Sequence, residues 1–238
     1  MLRVKDVLAL SNIDWTGKLV SVVFFEGCNF KCPYCHNWRC FSGGKKVSAE
    51  QLAQRIAKNE LIDGVVLSGG EPTVQPITDM LRFVRKLKML GLEVKLDTNG
   101  YETERVLKLV DAGVDYVAID FKTDIERYDE VVGKKYAGKR LLQTLGAITK
   151  TGVEVEVRTT VVPTIVDANT VNSIAWWLWK LGIKKYVLQQ FSNRDTYDVR
   201  FRRIEPYSVD RITKWAEHVK KVYGLDVRVR EGGKEWKV

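Results

Sequence analysis

The chain has 238 residues, 45% of them hydrophobic, with four cysteines and a formal net charge of +9. That length suits one sizeable core, no apolar run approaches the ~20 residues that cross a bilayer, and no leader pattern opens the chain. A soluble, cytosolic protein of one domain, 1–238, is therefore expected. The positive charge favours an acidic partner, a nucleotide or RNA, although the basic residues are scattered and an ordinary solvated surface accounts for them as well.

In chain order, residues 1–18 are mixed and close on Asp14-Trp15-Thr16-Gly17, which reads as a turn. The run 19–25 is apolar apart from Ser21, as in a strand buried on both faces. Further strands are expected at 64–68, 92–97, 115–121, 153–161 and 185–190. Helical periodicity falls near 48–59, 76–90, 103–112, 138–150, 167–181 and 207–222; in 76–90, Ile77, Met80, Leu81, Val84, Leu87 and Leu90 recur at three- and four-residue steps. Six β/α units in a row imply an α/β fold with a parallel sheet, either open and doubly wound or curled into a partial barrel.

Between the first strand and the first helix lie all four cysteines, Cys28, Cys32, Cys35 and Cys40. A disulfide framework would spread them along the chain, so a reducing compartment and a metal role fit better. Three thiolates spaced C-x3-C-x2-C suit three corners of an iron–sulfur cube with one site open; a zinc knuckle would need Cys40 or His36 as fourth ligand.

The carboxyl ends of the expected strands turn polar or glycine-rich: Glu26-Gly27-Cys28, Ser68-Gly69-Gly70-Glu71-Pro72, Asp97-Thr98-Asn99-Gly100, Asp120-Phe121-Lys122, Arg158-Thr159-Thr160 and Gln189-Gln190-Phe191. That rim is where α/β sheets build their sites. Alternation along the strands puts Lys95, Asp97, Asp120, Lys122, Glu154, Glu156 and Arg158 on one face and valine, leucine, isoleucine and Phe121 on the other. If helices cover the apolar face, the interior holds both signs of charge and suits a zwitterionic ligand; a structural ion-pair network is the plainer use of the same residues.

These residues resemble the radical S-adenosylmethionine (SAM) superfamily, and more closely the anaerobic ribonucleoside-triphosphate reductase activating proteins, a branch allied to the pyruvate formate-lyase activating enzymes. Gly27 to Asn37, Ser68 to Thr73, Lys95 to Gly100, Asp120 to Lys122, Arg158 to Pro163 and Leu188 to Phe191 carry it, in family order over about 14–191. The resemblance implies a partial (β/α)6 TIM-like barrel, with 192–238 as an extension for partner or substrate. It implies a 4Fe-4S cluster on Cys28, Cys32 and Cys35 whose fourth iron takes the amino and carboxylate groups of SAM. Tyr34 matches the position that meets the adenine, and Gly69, Gly70 and Glu71 the segment that bonds the methionine amine. Asp97, Thr98 and Asp120 match positions that hold a monovalent cation, Asn99 falls in the same cofactor-binding stretch, and Lys122, Arg158 and Gln190 match positions near ligand or substrate.

By the same resemblance, the reduced cluster splits SAM and a 5′-deoxyadenosyl radical takes hydrogen from a glycine of a glycyl-radical enzyme, the anaerobic ribonucleotide reductase. The one-electron donor is then a ferredoxin or flavodoxin. Two other readings stay open: a radical SAM enzyme acting on RNA or a deazapurine-type small molecule, and a non-catalytic zinc protein that binds nucleic acid. Arg194, Arg200, Arg202 and Arg203 make the C-terminal region basic, and Trp176 and Trp179 point away from the apolar face that Trp177 joins, as a partner surface would. Cys40 has no assigned role.

Overall fold

The computed structural model describes residues 1–238. Its elements are β1 Leu2–Ser11, β2 Val20–Phe25, β3 Lys45–Val47, α1 Ala49–Ile56, β4 Gly64–Gly69, α2 Ile77–Met89, β5 Glu93–Thr98, α3 Thr103–Asp111, β6 Tyr116–Asp120, α4 Ile125–Val132, α5 Ala137–Ile148, β7 Glu154–Val161, α6 Ala168–Leu181, β8 Lys185–Gln190, α7 Val209–Tyr223, β9 Asp226–Glu231 and β10 Lys234–Lys237, with short 3-10 turns at Trp38–Phe41, Pro72–Val74 and Val199–Arg203. No helix is long and apolar enough to cross a membrane.

One sheet runs β10-β9-β8-β7-β6-β5-β4-β2-β1-β3. Pairing is parallel from β2 to β9 and antiparallel where β1 joins β2 and β3 and where β10 joins β9. The six expected strands are all present, and β9 adds a seventh to the parallel set. The alternation of Val227 and Val229 with Arg228 and Arg230 is what lets it pair beside β8.

Helix starts follow from side-chain caps: Ser48 accepts from the Gln51 N–H, Asp167 from Thr170 and Ser208 from Arg211. In α2 the buried stripe is Met80, Phe83, Val84 and Leu87, while Leu90 lies past the helix and is exposed. Helix α4 was not expected. Its apolar positions Ile125, Tyr128, Val131 and Val132 are separated by four charged residues, which hide the period from a composition-weighted reading.

The sheet curls until the carboxyl ends of β2 to β9 line one cavity. Its edge strands, β3 and β10, do not pair with one another. The lateral gap is instead filled where the β9–β10 hairpin meets the segment after β1: Thr16 Oγ1 donates to Glu235 Oε1 at 3.1 Å, and a Cβ added at Gly233 would lie 3.3 Å from Ile13.

Within the curl the lumen has two layers. Trp15, Val20, Val22, Val66, Tyr116 and Ala118 form a small apolar core at the amino-terminal end, separate from the large cluster between sheet and helices. This layer is not purely apolar: Lys95 pairs in register with Val66 and Tyr116, and the Tyr116 hydroxyl donates to Glu156 at 2.7 Å, so buried charge reaches into it.

Candidate active site

The cysteine loop leaves β2 under restraint from three sides. The Gly27 N–H donates to the Cys40 carbonyl at 2.8 Å, Lys31 N–H to the Val132 carbonyl at 2.9 Å, and Tyr197 and Asp198 N–H groups to the Cys35 and Pro33 carbonyls at 3.0 and 2.8 Å. Cys28, Cys32 and Cys35 face a single cavity of about 460 Å³. Burial pushes the Cys28 thiol up to about 12, the nearby Glu71 charge adding to it, and the Cys32 thiol up to about 11; Cys35 is raised for the same reason. These thiols stay protonated at neutral pH until a metal displaces the proton.

The Gly69-Gly70-Glu71 segment packs directly on that loop. A Cβ on Gly70 would sit 2.0 Å from the Gly27 carbonyl oxygen, and one on Gly69, at φ +107, 2.3 Å from the Phe25 nitrogen. Glycine is needed here so that two main chains can touch. Glu71, in the segment matched to the methionine amine, lines the same cavity. Its carboxylate is buried and accepts from Thr73 N–H at 3.1 Å, Thr73 Oγ1 at 2.6 Å, Thr98 Oγ1 at 2.8 Å and Asn99 N–H at 2.7 Å. Burial raises its pKa, and those donors pull part of the rise back.

Asn99 completes the join, its Nδ2 donating to Asn29 Oδ1 at 2.7 Å. The loops after β2, β4 and β5 are thus one bonded unit.

Opposite them runs a ladder of alternating charge. Arg158 reaches Asp97 at 3.2 Å and Asp120 at 3.1 Å, and Lys122 reaches Asp120 at 3.1 Å. Below, fully buried Lys95 lies 3.7 Å from both Asp97 and Glu156 and donates to the Asp14 carbonyl at 2.7 Å. Burial alone would lower Lys122, but the Asp120 carboxylate holds it well above the ordinary lysine range. Burial likewise pushes Asp120 up, and Lys122 with Arg158 brings it below the usual carboxylate range. Asp97 Oδ1 and the Tyr34 hydroxyl are buried with no hydrogen-bond partner, and both residues line the cavity.

The geometry changes two expected assignments. Thr98 turns its hydroxyl to Glu71, and the guanidinium of Arg158 stands between Asp97 and Asp120, so the positive charge among these residues belongs to the protein and nothing here supports a separate monovalent cation. Gln190 does not line the cavity; its Nε2 donates to the Tyr207 carbonyl at 2.9 Å, while Gln189 faces inward. Period-two alternation explains the swap, because Tyr186 and Leu188 on the parity of Gln190 pack into the outer core.

Ser68 and Thr160, at strand ends read as the functional rim, also line the cavity, as do Arg230 and Asp14. Arg230 was legible in the alternation of β9, whereas Asp14 is brought in by a turn that sequence pattern does not position. His36 is exposed at the mouth, its ring 6.1 Å from that of Phe191. Cys40 is buried and is not among the lining residues. Trp176 and Trp179 are exposed and Trp177 packs against the core.

The residues fit the group that the resemblance implies. Three thiols share a cavity that also presents the Asp97 and Asp120 carboxylates and the half-buried cations Lys122 and Arg158, charges of both signs for an amino acid's two ends. Of the two candidates for a fourth zinc ligand, His36 lies exposed at the cavity mouth and Cys40 is buried off its wall.

A model of the radical SAM superfamily matches residues 22–176. A Methanocaldococcus jannaschii protein provisionally named a glycyl-radical enzyme activating enzyme is 35% identical over 207 residues, covering 84% of this chain and 85% of that one. The pyruvate formate-lyase-activating enzyme of Clostridium pasteurianum is 33% identical over 181 residues, 70% of this chain and 71% of its own. A 7-carboxy-7-deazaguanine synthase of Hyperthermus butylicus is 38% identical over 106 residues, 42% of this chain and 43% of its own. Among solved structures, Streptococcus suis SuiB bound to S-adenosylmethionine superposes with TM-score 0.69 at 16% identity, over 88% of this chain and 52% of that one, a likeness of fold. The chain belongs to the radical SAM superfamily, in its glycyl-radical enzyme activating branch.

Proposed function

We propose that this protein activates a glycyl-radical enzyme by removing a hydrogen atom from a glycine Cα, and that the partner is an anaerobic ribonucleotide reductase. The observation that carries the reading is the single cavity that Cys28, Cys32 and Cys35 share with Asp97, Asp120, Lys122 and Arg158. Cys28, Cys32 and Cys35 would hold a 4Fe-4S cluster, which with bound SAM and a one-electron donor such as ferredoxin or flavodoxin supplies reductive cleavage to a hydrogen-abstracting 5′-deoxyadenosyl radical.

The chain's own contribution is placement. The Asp97 and Asp120 carboxylates would attract an ammonium group, and Arg158 with Lys122 offers donors to a carboxylate. The glycine pair seats the second loop on the cysteine loop, Glu71 and Asn99 lock it there, and Tyr34 forms part of the wall beside Cys35. The layer around Trp15, Val22, Val66 and Tyr116 fills the lower end of the lumen, so ligand and substrate would enter from the carboxyl-terminal rim.

The alternative of a deazapurine-type substrate rests on a relative that matches less than half of the chain. The test is anaerobic. Reconstituted protein should hold iron and acid-labile sulfide and cleave SAM to 5′-deoxyadenosine under reduction, and Cys28→Ala should abolish the cleavage. Mixed with its host's anaerobic reductase, it should give the EPR doublet of a glycyl radical. Zinc without sulfide would sink the enzyme reading; SAM cleavage without the doublet would sink the named partner.

A further inference from the structure

On the outer side of the cysteine loop, a cationic turn is fused to it. The Lys31 N–H, between Cys28 and Cys32, donates to the Val132 carbonyl at the end of α4, and a Cβ on Gly133 would lie 3.6 Å from the Lys31 side chain. The turn that follows is Gly133-Lys134-Lys135-Tyr136, leading into Lys139 and Arg140 of α5. Lys134 and Arg140 both stand over the ring of Tyr101, at 5.2 and 5.1 Å, and that ring meets Phe30 of the cysteine loop edge-on at 5.8 Å.

Two features set this surface apart. Lys31, Lys134, Lys135, Lys139 and Arg140 are absent from every ion pair within 4.0 Å, although α4 carries Glu126, Asp129 and Glu130. On the other rim, Arg39, Arg200 and Arg202 are paired with Asp195 and Asp198, which leaves Arg194 and Arg203 there without a carboxylate. Second, Tyr136 is 67% exposed and held at φ +62, a conformation that costs a residue with a Cβ. Asp129 keeps it there by accepting the N–H groups of Tyr136 and Gly138. An exposed aromatic in a strained turn, ringed by unpaired cations, has the composition of an interface anchor.

We propose that this patch docks the acidic protein that donates the reducing electron, a reading that rests on the function given above. Lys31 is the immediate chain neighbour of Cys32, their Cα atoms about 3.8 Å apart, so a donor seated on it lies next to a cluster ligand. The step moves one electron and no atoms: the donor is oxidised by one and the metal site reduced by one. Opposite charge at the patch would speed the encounter and orient it.

The probe is a plant-type 2Fe-2S ferredoxin, chemically pre-reduced, against the anaerobically reconstituted protein. Reduction is read by the EPR signal of the reduced protein in stopped and frozen samples, and binding by calorimetry. The Lys134→Glu, Lys135→Glu, Arg140→Glu triple variant should be reduced by ferredoxin about tenfold more slowly, bind it about tenfold more weakly and lose most of the salt dependence, while dithionite reduces variant and wild type alike. Equal ferredoxin rates would overturn the proposal. So would slowing with dithionite as well, which marks damage to the site, or a larger effect from Arg200→Glu with Arg203→Glu on the other rim. Failure of dithionite to reduce the wild type would overturn the function itself.

Discussion

The Asn99 backbone N–H donates to Glu71 Oε2 at 2.7 Å, and Glu71 Oε1 takes the Thr98 and Thr73 hydroxyls and the Thr73 N–H. One buried carboxylate therefore joins the loop after β4 to the loop after β5, and all of its donors are protein groups. Glu71→Gln must turn an amide N–H toward at least one of them. A donor left facing a donor in a buried site costs about 1–3 kcal/mol. The urea midpoint should fall accordingly, and the KM for SAM should rise with it. If KM rose with no loss of stability, Glu71 would be binding the ligand and the rivet would be wrong.

Arg158 spans Asp97 and Asp120, so removing it leaves two carboxylates facing each other beside buried polar walls. Arg158→Met should destabilise the fold by roughly 3–5 kcal/mol. Arg158→Lys keeps the charge but has no planar fork to bridge both acids, and should lose part of the stability and most of the SAM cleavage. Wild-type cleavage should be indifferent to potassium against a bulky organic cation, because the guanidinium already stands where a metal cation would. Dependence on potassium in the wild type would reverse that assignment.

The charged half of the lumen was legible because β-strand alternation needs nothing beyond the sequence: Lys95 and Asp97, Glu156 and Arg158 fall on one parity whatever surrounds them. Gln190 came instead from matching the motif Leu188 to Phe191, which carries no phase of its own, whereas alternation along β8 turns Gln189 inward. The small apolar layer was hidden for a different reason. Val66 and Ala118 are as apolar as their neighbours along the strand, and only the arrival of Trp15 from the turn before β2 marks the inner face. Glu71 was found as a motif residue, but its partners lie on another loop, and no local pattern says which way a carboxylate in a turn will point.

Acid should unfold the protein through the ladder. Burial pushes Glu156 up, and Lys95 with Arg158 outweighs it, leaving its pKa below the ordinary value; Asp120 is lowered in the same way by Lys122 and Arg158. A carboxylate lowered in the folded state contributes stability that is full above its unfolded value of ~4 and disappears as pH falls through the folded value. Glu71 has the opposite sign: its raised pKa favours the fold at low pH, and that advantage is lost as pH rises. Urea midpoints measured from pH 7 to pH 3 should therefore drop most steeply below about pH 4. Glu156→Gln should flatten the drop; an unchanged slope would show that Lys95 does not hold that carboxylate ionised.

Gly70→Ala tests whether the second glycine serves the loops or the ligand. The added methyl would meet the Gly27 carbonyl oxygen at 2.0 Å, a backbone atom already accepting the Glu71 N–H at 2.8 Å, so neither side can yield by rotating a side chain. The loop after β4 must lift from the cysteine loop. Because Gly27 directly precedes Cys28, that displacement should disturb the placement of the first thiol. Iron and sulfide per chain after anaerobic reconstitution should fall together with SAM cleavage. Gly91→Ala, at φ +79 with no atom near the new Cβ, supplies the control: it should cost about 1 kcal/mol of backbone strain and leave iron loading unchanged. If Gly70→Ala loaded iron normally and lost only SAM affinity, the glycine would be clearing room for the ligand after all.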